Sequence, residues 1–207
     1  MKWETIRKKC ANFWYYYKWY VLGGLLLLCA LAVAIKSCVN RARPDLYVLF
    51  ARNDSPDSMQ LLELEQWFGN LAEDVNKDGE KSASVIATAT VDQWTGNNSS
   101  AMLVQVNSGS AVLYLLSEQN YETLHQNGIL QELDFIEGES AWLEGDRYRL
   151  SASGVLDSIT GFTQEKQEYY LCLRRVEGTS FEGNEKYETQ QALAREVIRK
   201  LVAAESQ

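Results

Sequence analysis

Along this chain the apolar positions form one unbroken segment and then a patterned remainder. Trp19 to Ile35, WYVLGGLLLLCALAVAI, carries no charge and is apolar almost throughout. At about 1.5 Å of rise per residue, a helix of this length covers most of a hydrocarbon core of roughly 30 Å. A helix satisfies its own backbone in lipid, so the pattern predicts one transmembrane helix over residues 19–36. Before it, Trp3, Ile6, Cys10, Phe13 or Trp14, and Tyr17 recur at helical spacing with Lys and Arg between them. That spacing predicts a basic, aromatic cytoplasmic or interfacial segment over 1–18. A linker over 37–44 closes at Pro44, which pushes the residue before it out of the helical region.

Residues 45–207 read as one globular domain, long enough for a good core and too short for two. Leu46 to Phe50 is a continuous apolar run, as in a strand buried on both faces. A polar loop from Arg52 to Asp57 leads to a helix with Leu61, Leu64, Trp67 or Phe68, and Leu71 on one face. Asp74 to Gly79 breaks it, and Val85 to Val91 is a second strand. Ser99 or Ser100 caps a short helix that ends near Gly109. Ala111 to Leu116 is a third strand, and Glu118 to Gln126 a helix stopped by Asn127-Gly128. This alternation predicts an α/β fold, a three-layer domain with a mainly parallel sheet. Further on, Tyr148–Ala152 and Val155–Ile159 are candidate short strands, and Glu168–Val176 a stronger one. Glu185 to Ala204 is a final amphipathic helix with Leu193, Val197, Ile198, Leu201 and Val202 inward.

Charge sharpens the division. Residues 1–43 hold eight Lys or Arg and one acid, Glu4, for a net +7; residues 44–207 hold twelve bases and 27 acids, for −15. Beside an apolar span, the basic part suits anionic lipid. The acidic part repels nucleic acid, which excludes that partner. Five basic residues precede the span (Lys2, Arg7, Lys8, Lys9, Lys18) and three follow it (Lys36, Arg41, Arg43). The excess places the N-terminus in the cytoplasm and the domain outside the cell membrane, as a single-pass protein. The rival is a cleaved signal, with Ala32-Val33-Ala34 as a small-residue site or Cys38 in a lipoprotein-like box. The belt of Trp14, Tyr15, Tyr16, Tyr17, Trp19 and Tyr20 favours a helix that stays at the interface.

The sharpest chemical motif is Asp74-Val75-Asn76-Lys77-Asp78-Gly79. Its D-x-N-x-D-G spacing opens a calcium loop, with Asp74, Asn76 and Asp78 as the oxygen donors. The closing acid would fall at Val85, which is apolar. The motif therefore reads either as a turn held by its own Asp and Asn side chains or as a weak calcium site. Catalytic patterns are missing. The single histidine, His125, has no adjacent nucleophile motif and reads as structural or solvent-exposed. Cys10, Cys29, Cys38 and Cys172 are dispersed and form no disulfide framework; Cys172 fits a core position. Arg174-Arg175 fits an edge strand or an anionic group. These features predict a protein that is not an enzyme and needs no cofactor.

Residues 110–134, SAVLYLLSEQNYETLHQNGILQELD, resemble a segment of bacterial extracellular solute-binding proteins, the periplasmic-binding-protein family. The shared features are a strand ending in a polar residue, a helix and a G-x-L-x-x-L turn, here Gly128 to Leu133. The resemblance extends over 45–134 and implies a single lobe where that family has two. Ligands in such sheets meet the carboxyl ends of the strands. Those positions are Arg52, Asn53, Asp54, Asp92, Trp94, Ser117 and Glu118. Two functions follow as expectations. One is a membrane-anchored interaction module for another cell-envelope or transporter protein. The other is a solute-binding-like domain for a small molecule or calcium.

Overall fold

The structure, a computed structural model, describes residues 2–39, 44–89, 101–136, 140–150, 154, 156, 159, 162 and 167–205. The chain forms two compact units, Met1–Ala42 and Arg43–Gln207. The first is a single helix, α1 (Lys2–Val39). Its Trp14–Val33 window is long and apolar enough to cross a membrane. A signal sequence has the same length and composition. Every described side chain in that window is exposed within its own unit, including Trp19, Tyr20 and Leu26.

The second unit runs β1 (Leu46–Arg52), α2 (Ser58–Leu71), β2 (Ala83–Ala89), α3 (Ala101–Ser108), β3 (Leu113–Ser117) and α4 (Glu118–Gln126). It continues with β4 (Leu130–Gln131), β5 (Leu143–Glu144), β6 (Arg147–Arg149), β7 (Tyr169–Arg174) and α5 (Glu185–Glu205). Local chemistry sets the helix ends. Asp57 accepts the Met59 amide at the start of α2 (3.5 Å), and Asn184 accepts the Lys186 amide at the start of α5 (3.1 Å). Gly128, at φ 64°, lets the chain reverse after α4 while the Ile129 amide returns to the Leu124 carbonyl (3.1 Å).

The sheet is mixed, in the order β2-β1-β3-β7-β6-β5, with β4 also paired to β7. β1 pairs in parallel with β2 and β3, whereas β7 runs antiparallel to β3, β4 and β6, and β5 antiparallel to β6. The expected parallel order therefore holds for the first three strands only. Between α4 and β7 the described strands are β4 and the antiparallel β5–β6 pair, and β7 runs opposite to β3.

Alternate residues of β1 feed two separate cores. Leu46, Val48 and Phe50 pack with Leu64 and Phe68 of α2 and with Val197 and Ile198 of α5. Leu49 and Ala51 pack with Met102 and Val106 of α3 and Leu124 of α4. This is the period-two alternation of a strand covered on both faces.

Three local expectations are corrected. Of the Val155–Ile159 stretch, Leu156 and Ile159 are described; neither lies in a strand, and the Ile159 amide bonds the Leu156 carbonyl (2.9 Å). Of the Tyr148–Ala152 stretch, Tyr148 and Arg149 lie in the short β6, Leu150 follows it and residues 151 and 152 lie outside the described residues; β5, paired to β6, carries too few residues to leave a periodic signal. Arg174 is not on an edge. It lies buried in β7, donates to the Tyr114 hydroxyl (3.2 Å) and the Val106 carbonyl, and stacks 4.3 Å from the Phe181 ring. A guanidinium is tolerated there because a hydroxyl, a carbonyl and a ring face meet it.

Cys172 is fully buried in β7, and burial pushes its thiol well above the ordinary range, with Asp146 adding to the effect. Thiolate is the reactive form, so alkylation of Cys172 is expected to wait for unfolding. Mass spectrometry of the Cys172 peptide should find it unmodified in native protein and labelled in denaturant. Labelling at equal rates in both would contradict the buried placement.

Candidate functional site

β1 and β3 lie side by side, and the chain leaves their carboxyl ends in opposite directions, into α2 on one face and α4 on the other. Such a divergence opens a crevice at the strand ends. Arg52, at the end of β1, is buried; its Nε donates to Asp54 (2.6 Å) and its Nη1 to Gln60 Oε1 of α2 (3.0 Å). Ser117, at the end of β3, donates through its hydroxyl to Asn53 Oδ1 (3.4 Å) and accepts from Asn120 Nδ2 (2.9 Å). Arg52, Asn53, Asp54 and Ser117 thus form one polar grouping at the neighbouring ends of β1 and β3. Gln60 and Asn120, which complete it, gave no signal in the sequence beyond lying one turn into a helix. Asp92 and Trp94 lie outside the described residues.

Glu118 belongs to a neighbouring ionic cluster. The Tyr170 hydroxyl lies between the carboxylates of Glu118 and Glu168 (2.6 Å to Glu168). Burial first, and then these two carboxylates, push the Tyr170 pKa upward. Arg147 sits 4.7 Å from both the Tyr121 and Tyr170 rings and bonds Glu144 (2.6 Å). That contact holds the exposed Glu144 carboxyl below its usual range.

A second polar grouping lies at the other end of α4. Asp146, almost fully buried, accepts from the Tyr121 hydroxyl (2.8 Å) and meets His125 Nδ1 (2.7 Å). His125 is exposed and borders an open cleft of about 450 Å³ shared with Glu132, Asp134, Arg175 and Arg195. The Asp146 contact orients the imidazole; no serine or cysteine hydroxyl or thiol is bonded to His125 among the described residues.

The Asp74–Gly79 motif forms a self-bonded turn. Asp74 accepts the Asp78 and Gly79 amides (3.2 and 2.9 Å), Asn76 accepts the Asp78 amide (2.8 Å), and Asp78 accepts the Glu80 amide (2.9 Å). Lys77 and Gly79 take positive φ, 58° and 90°, which the turn requires. Among the described residues no three His, Cys, Asp or Glu side chains are grouped to hold a metal. A cation at Asp74, Asn76 and Asp78 would compete with these amides for the same oxygens.

Asp45 escaped notice in the sequence although it organises this region. It is buried at the entrance to β1 and accepts the Val75, Asn76 and Ser82 amides at 2.9, 3.1 and 3.1 Å. No family model, no curated protein and no solved structure matches the chain.

Proposed function

We propose that the chain is a single-pass, membrane-anchored interaction module that works without catalysis. In this reading α1 stays in the cell membrane with the N-terminus in the cytoplasm, and the acidic unit is extracytoplasmic, a three-layer domain akin to one lobe of a solute-binding protein. The flanking positive charge and the aromatic belt support retention of α1 in the bilayer. One observation carries the interaction role. Among the described residues of the second unit, the exposed large apolar side chains are Met59, Leu62, Val75, Leu103 and Val104, and four of these five lie on α2 and α3. Both helices pack against β2, α2 on one face of the sheet and α3 on the other, so these side chains lie on the two helices that flank that strand. The strand-end crevice, by contrast, bonds most of its polar groups internally.

A second reading, a small polar ligand in the crevice, is favoured by Gln60, whose buried Nε2 has no hydrogen-bond partner. Calcium at the Asp74–Gly79 turn belongs to the same reading.

Photo-crosslinking in native membranes separates the two. A photoactivatable residue at Leu62 or Val104 is expected to give discrete adducts, and one at Glu122, exposed on α4, none. Equal labelling at all three positions, or no adduct at any, would overturn the interaction role. A solute that raises the unfolding temperature of the intact protein but not of Gln60→Leu would favour the ligand.

A further inference from the structure

We infer that the cleft beside His125 binds a small zwitterion, a molecule with one carboxylate and one ammonium, such as a free amino acid. The inference goes beyond the interaction reading and uses a different surface, away from α2 and α3. The cleft, about 450 Å³, is bordered by the end of α4, by β4, by the chain just after β7 and by α5. That volume falls within the range of small-molecule sites. Two arginines reach it from separate elements, Arg175 just past β7 and Arg195 on α5, together with the carboxylates of Glu132, Asp134 and Glu177. Among the described residues, none of these five side chains forms an ion pair or a hydrogen bond. Arg147, Arg149, Arg199 and Lys200, by contrast, all pair with a nearby acid. The cleft thus holds charges of both signs that do not neutralise each other.

Local contacts hold these groups in place. The Arg195 guanidinium stacks 5.2 Å from the Phe135 ring, which offers its N–H groups no acceptor in their plane, and its buried Nε has no hydrogen-bond partner. Glu132 lies beside Gly145, in the turn between β5 and β6. Asp146, in the same turn, is already engaged by the Tyr121 hydroxyl and His125 Nδ1. A carboxylate only accepts, so Nδ1 carries the proton, and the Nε2 of a neutral His125 is left as an acceptor. The signs then select the ligand. A simple anion would gain the two arginines but meet three carboxylates and a unit at −15. A simple cation would leave both guanidinium groups unmatched. A zwitterion has no net charge to be repelled. Its carboxylate suits a guanidinium fork, and its ammonium donates to a carboxylate such as Glu132 or to His125 Nε2.

The test is calorimetric titration of the full-length chain in detergent micelles with each standard amino acid in turn. Acetate, succinate and ethylamine serve as probes of a single sign. Saturable binding of at least one amino acid is expected, and none of the three probes. Arg175→Gln and Glu132→Gln, both at exposed positions, should each weaken that binding about tenfold or more, since each removes one charged partner. Arg199→Gln, on the same helix as Arg195 but outside the cleft, should leave it unchanged. No binding of any amino acid up to millimolar concentration would overturn the inference. Succinate or acetate binding as tightly as the best amino acid would overturn it too, because the site would then read negative charge alone. Binding that survives both Arg175→Gln and Glu132→Gln would lie elsewhere on the molecule and remove this cleft. None of these outcomes bears on adducts at Leu62 or Val104, so the interaction reading stands or falls separately.

Discussion

Asp45→Ala is expected to destabilise the second unit by roughly 3 kcal/mol, since unpaired amide donors cost about 1–3 kcal/mol each and water reaches some of them. The carboxylate at this position has three backbone donors and almost no solvent. Alanine abandons all three. Val75 and Asn76 are exposed enough for water to replace part of the loss, whereas Ser82 is less so. The damage also spreads. The Asp45 amide bonds the Ser82 carbonyl (3.0 Å), and Gln190 of α5 bonds the Asp45 carbonyl and accepts the Tyr47 amide (3.2 Å). One residue thus joins the start of β1, the Asp74–Gly79 turn and α5. Asp45→Asn should lose less, because one oxygen remains to accept the Val75 and Asn76 amides, while its NH2 group opposes the Ser82 amide. Urea unfolding of residues 44–207 would read both as shifts in midpoint at constant slope. A loss for alanine within about 0.5 kcal/mol, the range of an ordinary surface substitution, would contradict this role.

Asp45 also shows what the sequence could not disclose. An acid one residue after Pro44 looks like linker, and its partners come from sequence separations of 30, 31 and 37 residues. Arg174 was misplaced for the same reason, with Tyr114 and Val106 lying 60 and 68 residues away. What could be read was local. The apolar runs of β1, β3 and β7 and the spacing of α2, α4 and α5 declared themselves, because burial selects apolar residues along each element. Strand direction did not. Tyr169–Arg174 is buried on both faces and presents the same pattern whether it runs parallel or antiparallel to β3. The crevice was partly legible, since Arg52, Asn53 and Ser117 sit at strand ends whose position follows from β-α alternation. Gln60, Asn120 and the His125–Asp146 contact depend on helix rotation and on the β5–β6 hairpin, which no periodicity marks.

Raising the pH from about 10 to 12 is expected to unfold the second unit, with Tyr114 as the principal cause. Its phenol is fully buried in β3, and burial pushes its pKa up to about 12 even though the charge and hydrogen bond of Arg174 pull it down. Below pH 10 the hydroxyl is neutral in both folded and unfolded chains, so its contribution is intact. Above pH 10 the unfolded chain releases a proton that the fold retains. Stability then falls by about 1.4 kcal/mol per pH unit, roughly 3 kcal/mol by pH 12, where the native phenol ionises as well. Tyr121, raised by burial and then by Asp146, and Tyr170, raised by burial and then by Glu118 and Glu168, shift in the same direction. A domain of ordinary stability, about 5–15 kcal/mol, has little margin against three such groups. Phenolate absorbance and circular dichroism should therefore change together as the pH rises. Tyr114→Phe should flatten the alkaline slope by about one proton while costing on the order of 1 kcal/mol near neutrality, because Arg174 loses one acceptor. An unchanged slope would place the titrating group elsewhere. The variant also bears on the binding surface: the same Arg174 holds the Val106 carbonyl near the end of α3, the helix that exposes Leu103 and Val104. Weakened adduct formation at Val104, with Leu62 unaffected, would tie this buried Tyr–Arg pair to the surface it supports.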